Sequence, residues 1–221
     1  MTGNAIAGVL LAAGAGSRFG SDKLGATLNG ETLLRHSALA MLDAGLAPVL
    51  AVRRPGSAQP LPEPVEPVIN HRWRSGMASS VQAGLAALAR HTQVCGAVIA
   101  PADQPRCGSA VYLRLVETFR NTGHAIVVAA FNGEMRNPVL LARDQWGLAE
   151  AIDGDTGLSA VVRSLEPMTV ECADIGSVDD VDTVADLAKM RRVTAADHHP
   201  GQAVSTSTAT AFAAETFRGQ D

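Results

Sequence analysis

The sequence predicts an α/β fold: a mainly parallel, mixed sheet flanked by helices. Three observations carry this. Short, continuous apolar runs recur, such as residues 5–13 and 94–100; segments of helical period lie between them; and Gly, Pro and Asn-Gly clusters separate the two. Strands buried on both faces of a parallel sheet require such runs, and each parallel connection requires a crossover helix.

Taken in order, Ala5 to Ala13 is an apolar run that ends in glycines and predicts the first buried strand. Gly14 to Leu24 is too rich in glycine and polar residues for a regular element. A helix is expected from Thr32 to Ala44, where Leu33, Leu34, Ala38, Met41 and Leu42 share a face and Gly45 supplies the stop. Pro48 to Val52 predicts the next strand. The prolines between Pro55 and Pro67 exclude a helix or central strand and predict a surface connection to a short strand near Val68.

Ser75 to Ala89 predicts a helix with Met77, Val81, Leu85 and Leu88 on its apolar face. Val94 to Ala100 predicts a second buried strand, followed by a helix from Ser109 to Arg120. Ala125 to Phe131 and Pro138 to Ala142 are strand-like and flank Asn132-Gly133, a dipeptide suited to a hairpin turn. Helices are expected over Gln145 to Ile152, Leu158 to Leu165 and Val178 to Met190, with a strand from Met168 to Ala173. The domain is expected to occupy residues 1–193. From Thr194 the chain turns to Ala, Ser, Thr and Gly, so residues 194–221 are expected to be a disordered tail, in which Asp197-His198-His199 reads as a bystander.

The composition narrows the function. The 221 residues are 47% hydrophobic, which excludes a disordered or collagen-like chain; they are 4% aromatic with net charge -4, which disfavours a stacking platform or a broad basic footprint for nucleic acid. Any nucleic-acid-like ligand is expected to be small. Residues 1–76 carry seven Lys/Arg against five Asp/Glu, and the remaining chain eleven against seventeen, so the two parts differ in sign, +2 against -6. Three cysteines without a Cys-x-x-Cys pair argue against a disulfide framework and a zinc site. The first apolar run is too short to span a bilayer, and no cation precedes it, so a soluble, cytoplasmic protein is expected.

Four constellations bear on chemistry. The first is the strand leading into Leu11-Ala12-Ala13-Gly14-Ala15-Gly16-Ser17-Arg18, with Lys23 close behind. Small residues let backbone N–H groups approach an anion, and the cations complement phosphate. The loop fits neither a Walker A sequence nor the dinucleotide fingerprint, since Gly20 follows Gly16 by four residues; a tight turn with surface cations is the plain alternative. The second is Asn70-His71-Arg72-Trp73-Arg74-Ser75-Gly76 running into Ser79-Ser80, whose hydroxyls and free N–H groups serve either a helix cap or a ligand, with Arg72 and Arg74 adding positive charge. The third is Asp103 in Pro101-Ala102-Asp103-Gln104-Pro105, immediately after a buried strand, where a carboxylate caps a helix or holds Mg²⁺. The fourth is acidic: Gly154-Asp155-Thr156-Gly157, then Asp179-Asp180-Val181-Asp182, residues that also suit a helix start.

Read together, LLAAGAGSRFGSDK (10–23), NHRWRSGMASSVQAGL (70–85), APADQP (100–105), GDTG (154–157) and DVDTVADL (180–187) resemble, in order and spacing, the molybdenum cofactor nucleotidyltransferases. Within them the sequence is most similar to the molybdenum cofactor cytidylyltransferases. The resemblance covers about residues 6–190. It implies a Rossmann-like nucleotidyltransferase fold and transfer of a nucleoside monophosphate from an NTP to the terminal phosphate of molybdopterin, with Mg²⁺ as cofactor and release of pyrophosphate.

Carried over by position, it makes Arg18, Lys23 and Asp103 catalytic. It makes Leu11, Ala12, Ala13, Gly14, Gly16, Lys23, Gly76, Ser80, Pro101 and Asp103 nucleotide-binding, and Asp103 with Asp182 metal-binding. Ala13 and Gln104 match the cytidylyl branch, so the implied donor is CTP. The implied partners are CTP or another NTP, molybdopterin or another small phosphate acceptor, and a recipient molybdoenzyme, with neither nucleic acid nor membrane involved. The chain departs from the family at Phe19, at Arg136-Asn137 and at Val184-Ala185. Two other readings compete: a nucleotide-dependent oxidoreductase, raised by the glycine-rich loop, and a binding or delivery protein that retains the fold without turnover.

Overall fold

The computed structural model describes residues 3–14, 16, 19–20, 22–155 and 158–197. The strands are β1 (Ala5–Ala12), β2 (Thr27–Leu28), β3 (Glu31–Thr32), β4 (Val49–Arg53), β5 (Glu66–Ile69), β6 (Val94–Pro101), β7 (Ile126–Phe131), β8 (Glu134–Ala142) and β9 (Met168–Glu171). The α-helices are α1 (Leu33–Asp43), α2 (Met77–Leu88), α3 (Ser109–Thr122), α4 (Leu158–Val162) and α5 (Val184–Asp197).

Seven strands form one sheet in the order β5-β4-β1-β6-β8-β7-β9. β1 runs parallel to both β4 and β6, β5 is parallel to β4, and β9 is parallel to β7. Only β8 is antiparallel to its neighbours β6 and β7. The expected mixed, mainly parallel Rossmann-like sheet flanked by helices is therefore present.

The strand period of two divides the core between the faces. From β1, Ile6 and Leu10 point toward Leu34, Ala38 and Met41 of α1 and Tyr112 and Leu115 of α3. Ala7 and Val9 point to the other face, where Val81, Leu85 and Leu88 of α2 pack with Leu158 and Val162 of α4. Each fully buried Leu or Val contributes about 1.5–3 kcal/mol by leaving water, so α2 is held by packing more than by propensity. Gly84 makes its close approach possible: a Cβ there would stand 2.4 Å from Val9 Cγ1.

Most expected elements form within a few residues of their predicted limits. Thr32 caps α1, its side chain accepting from Arg35 N–H at 3.2 Å, and Gly45 follows in the left-handed region at φ 72°. The β7–β8 hairpin turns at Asn132-Gly133, both at positive φ. β8 begins four residues before the expected Pro138. That proline lies where the β7–β8 register shifts, as a residue without an N–H donor requires.

The last third departs more. The helix expected over Gln145 to Ile152 is instead a 3-10 run, Arg143–Ala151, and Gln82 Nε2 donates to the carbonyls of Ala149 (3.0 Å) and Ile152 (3.2 Å). The helix expected over Leu158 to Leu165 is α4 for five residues and then a 3-10 turn ending at Glu166, φ 48°. The final helix starts at Val184, six residues after the expected Val178. Residues 177–183 are bonded otherwise: Ser177 Oγ to Asp179 Oδ2 (2.6 Å) and Val181 N–H to the Asp103 carbonyl (3.1 Å). Polar side chains that satisfy nearby groups compete with helix formation in this way. α5 then runs past Thr194 to Asp197, and residues 198–221, including His198 and His199, lie outside the described residues.

Candidate active site

A cleft of about 650 Å³ opens at the carboxyl ends of β1, β4 and β6. Strand order reverses there: from β1 the chain proceeds outward to β4 and β5, then returns to the other side of β1 as β6. Such a switch point leaves a crevice because the connections leave in opposite directions. The volume lies within the usual range of small-ligand sites.

The first constellation forms the floor. Leu11, Ala12, Ala13, Gly14 and Gly16 all line the cleft, with Gly16 at φ 62°. Ala12 and Ala13 are buried, so this segment offers backbone more than side chain. Leu11 pairs with Pro101 across the β1–β6 ladder, and Ala102 N–H donates to Leu11 O at 3.0 Å. The glycine-rich loop and the Asp103 turn are therefore neighbours by strand register. Arg18 lies outside the described residues.

Asp103 is fixed from several sides. The buried Ser37 hydroxyl donates to Ala102 O at 3.0 Å, and the Asp103 carbonyl accepts from Val181 N–H. Its carboxylate accepts from Lys23 Nζ at 2.6 Å, and Asp182 accepts from the same ammonium at 3.0 Å. Burial pulls the Lys23 pKa down, but the hydrogen bonds and charges of Asp103 and Asp182 more than offset this and hold it above its ordinary value. Lys23 is thus a cation throughout the neutral range.

Asp180, which no earlier signal distinguished from Asp179, also lines the cleft. Gln104 Nε2 donates to it at 2.9 Å, while burial raises its pKa. Gln104 is itself 6% exposed, and its Oε1 has no hydrogen-bond partner among the described residues.

The opposite wall comes from the segment after β5. Gly76, Ser80 and Met77 line the cleft together with Trp73 and Arg74. Asn70 is buried and donates through Nδ2 to Ser79 Oγ (2.8 Å) and Ser80 Oγ (3.1 Å), pinning the start of α2. Gly76 sits at φ 95°, and a Cβ there would lie 2.2 Å from the Gly154 carbonyl. Residues 154–155 are thereby packed against the start of α2, where Ala78 N–H donates to Gly154 O (3.0 Å) and Met77 N–H to Asp155 Oδ1 (3.3 Å). Arg54 and Arg74 lie 5.6 and 4.4 Å from the centroid of the Trp73 ring. His71 and Arg72 do not line the cleft.

Every described residue that the resemblance assigns to the site therefore lines one cleft, whereas Arg72 and Asp179 of the wider constellations do not. Sequence reasoning missed Arg54, Ser57 and Gln59, which line it too, as do Trp73 of the second constellation and Asn137, named only as a departure from the family. Arg54, Ser57 and Gln59 fall in or beside the proline-rich stretch, whose only signal was that of a surface connection.

The donor chemistry fits a divalent cation. No group of three or more His, Cys, Asp or Glu gathers among the described residues. However, Asp103 and Asp182 already converge on one cation, the Lys23 ammonium, and Mg²⁺ commonly takes one or two carboxylates and completes its shell with substrate phosphates and water. No helix among the described residues is long and apolar enough to cross a membrane.

The model of the MobA-like NTP transferase domain matches residues 8–170. The chain belongs to the MobA-like NTP transferase family. This family member is 30% identical over 201 residues to the nicotine blue oxidoreductase of Paenarthrobacter nicotinovorans, an alignment covering 84% of the chain and 96% of that protein. It is 34% identical over 124 residues to a probable molybdenum cofactor guanylyltransferase of Opitutus terrae, covering 56% and 60%. Among solved structures, Rv0371c of Mycobacterium tuberculosis H37Rv superposes with a TM-score of 0.69 at 24% identity, covering 87% of the chain and all of Rv0371c. A manganese complex of Rv0371c has also been solved; it gives a TM-score of 0.67 over 86% of the chain and all of Rv0371c, at 24% identity. The MobA-like family thus includes proteins named for different reactions, and the fold alone does not choose between them.

Proposed function

We propose that this MobA-like protein is a Mg²⁺-dependent cytidylyltransferase that moves CMP from CTP to the terminal phosphate of molybdopterin and releases pyrophosphate. One observation supports this above the others: the glycine-rich floor, Lys23, Asp103 and Asp182 meet in a single cleft at the β1/β6 switch point.

In the reaction an oxygen of the acceptor phosphate attacks the α-phosphorus. The new O–P bond forms as the bond to the α–β bridging oxygen breaks, and pyrophosphate leaves with that electron pair. The nucleophile is already ionised near neutral pH, because a phosphate monoester has its second pKa near 6. No histidine base is required. The difficulty is repulsion between anions, which fixed cations relieve.

Lys23 has three N–H donors, two of which meet Asp103 and Asp182, so the ammonium is aimed before substrate enters. Arg18 joins Lys23 in holding phosphate oxygens. Leu11, Ala12, Ala13, Gly14 and Gly16 wrap the nucleotide with backbone, while Gly76, Ser80 and Pro101 border its base and ribose. Asp103 and Asp182 hold the Mg²⁺, which when bound neutralises phosphate charge. Ala13 and Gln104 support CTP as donor. The catalytic domain is residues 1–193, its last helix continuing to Asp197, with the rest of the chain outside it.

The test is pyrophosphate release with Mg²⁺, molybdenum-loaded molybdopterin and each NTP in turn. Turnover that prefers CTP and disappears in Asp103→Ala is expected; turnover with no NTP, or full activity in Asp103→Ala, refutes the proposal. An oxidoreductase reading has one observation in its favour, the name of the Paenarthrobacter relative. The loop does not fit the dinucleotide fingerprint, and spectral titration with NADH decides the matter. Tight CTP binding without turnover, in the presence of authentic acceptor, would instead indicate a delivery protein.

A further inference from the structure

We propose that Trp73 and Arg74, backed by Arg54, select the nucleobase, favouring cytosine and guanine over adenine and uracil. The inference rests on the nucleotidyl-transfer reading and gives a role to residues which that reading does not use.

Position is the first support. Trp73 and Arg74 lie in the single 3-10 turn Trp73–Ser75 between β5 and α2, and Arg54 directly follows β4. All three line the cleft on the β4–β5 side of β1. Lys23, Asp103 and Asp182 occupy the β6 side, and Asn137 of β8 extends that side further. A nucleotide whose phosphates lie against Lys23 across the glycine-rich floor directs its base toward Trp73, leaving the β8 side to the acceptor.

The second support is chemical. The Arg74 guanidinium lies 4.4 Å from the Trp73 ring centroid, and among the described residues no carboxylate or carbonyl accepts from it. A guanidinium resting on an indole is restrained without using its N–H donors, which remain at the perimeter as a planar fork. Such a fork matches two adjacent acceptors. Cytosine presents O2 beside N3, and guanine presents O6 beside N7. Adenine sets its N1 and N7 acceptors beside an amino donor, and uracil places N3–H between its two carbonyls. Arg74 can therefore make a paired contact with the first two bases and only a single one with the others. Arg54, 5.6 Å from the same ring, adds positive potential at that wall.

This assignment separates from a simple phosphate site by variant chemistry. Lysine keeps the charge but loses the fork, so it would serve a phosphate and fail a base edge. The experiment measures equilibrium dissociation constants for CTP, GTP, ATP, UTP and inorganic pyrophosphate, with Mg²⁺, in the full chain and in Arg74→Ala, Arg74→Lys and Trp73→Phe. Because the chain has two tryptophans, Trp73 and Trp146, a Trp146→Phe background also lets nucleotide binding be followed by Trp73 fluorescence.

We expect CTP or GTP to bind the unaltered protein roughly tenfold or more tighter than ATP and UTP, the scale of one paired base contact. Arg74→Ala and Arg74→Lys should both compress that ratio to about threefold or less while leaving pyrophosphate affinity unchanged; Trp73→Phe, which keeps a ring, should retain most of it. Equal weakening of all four nucleotides and pyrophosphate would overturn the inference in favour of a phosphate site. So would unchanged binding throughout. Either result leaves the transfer reading standing, whereas failure of the unaltered protein to bind any NTP overturns both.

Discussion

Lys23→Met gives the sharpest test of the electrostatics at the cleft. The substitution keeps the length and apolar stem of the side chain but removes the ammonium shared by Asp103 (2.6 Å) and Asp182 (3.0 Å). Removing one partner of a fully buried ion pair costs about 3–5 kcal/mol, and an exposed pair about 0–1 kcal/mol. Here the lysine side chain is 13% exposed and the carboxylates 25% and 42%, so solvent screens the loss in part. The expected destabilisation is about 2 kcal/mol, which for a chain of this length lowers Tm by roughly 4–8 °C.

The same substitution should improve the site for a divalent cation, because two facing carboxylates no longer have an internal counter-ion. Mg²⁺ at a hundredfold excess over its Kd restores about 2.7 kcal/mol, while in the unaltered protein it must compete with the ammonium. Thermal unfolding followed with EDTA and then across a Mg²⁺ series measures both effects. The variant should start lower and gain more. Pyrophosphate release should fall about 10²–10³-fold at saturating Mg²⁺, since the metal does not replace the aimed N–H donor. An unchanged Tm in EDTA, or equal Mg²⁺ increments for the two proteins, would refute the view that Asp103 and Asp182 form a cation site completed by Lys23.

Gly76→Ala should cost about 2–5 kcal/mol, from a left-handed non-glycine residue and overlap with the Gly154 carbonyl 2.2 Å away; urea unfolding measures it, and activity should fall with it as residues 154–155 shift. Thr183→Ala removes a reciprocal cap in which Asp186 N–H donates to Thr183 Oγ1 (3.2 Å) and Thr183 N–H to Asp186 Oδ2 (2.8 Å). It should destabilise by about 1 kcal/mol and raise the Mg²⁺ requirement, because Asp182 loses its neighbouring anchor. Glu171 accepts the N–H groups of Gly133 (2.9 Å), Ala173 (3.1 Å) and Asn132 (3.0 Å), which hold its pKa below the ordinary 4.5. Its contribution is present above pH 4.5 and disappears as pH falls through the lower folded value, so Glu171→Gln should flatten the decline of Tm below pH 4.5.

The legible parts of the sequence were those where one local rule decides the outcome. β1 and β6 followed from uninterrupted apolar runs, α1 from periodicity with Thr32 before it and Gly45 after it, and the β7–β8 turn from Asn132-Gly133. Asn29-Gly30 carries the same turn signal at φ 52° and 87°, but β2 and β3 are only two residues long, too short for alternation to show. The late start of α5 was illegible for another reason. Apolar spacing over 178–190 permits a helix, and what opposes it is long-range: Val181 bonded to the Asp103 carbonyl, 78 positions away. The site divided similarly. Short motifs announced Lys23, Asp103 and Gly76, whereas Arg54 and Asn137 reach the cleft only because β4 ends, and β8 passes, beside it.

Sheet topology also converts the charge asymmetry of the sequence into a spatial one. The excess of cations lies before residue 77 and the excess of acids after it. The chain lays β4 and β5 on one side of β1, then crosses to β6, so Arg54 and Arg74 come from the first segment and Asp103, Asp180 and Asp182 from the second. The boundary between the two signs falls over the glycine-rich floor. Three residues break the segregation: Lys23 belongs to the cationic segment but sits between two acids, while Asp22, bonded to Gln59, and Asp155, bonded to Met77 N–H, place carboxylates beside the cationic wall. A polyanion bound along the floor would meet donors from one wall and, at the other, acids that repel it unless Lys23 and a divalent cation reverse their charge. Phosphate binding at the β6 wall should therefore depend on the metal far more than base binding at the β5 wall. Nucleosides without phosphate should bind with little Mg²⁺ dependence, and triphosphates with a strong one.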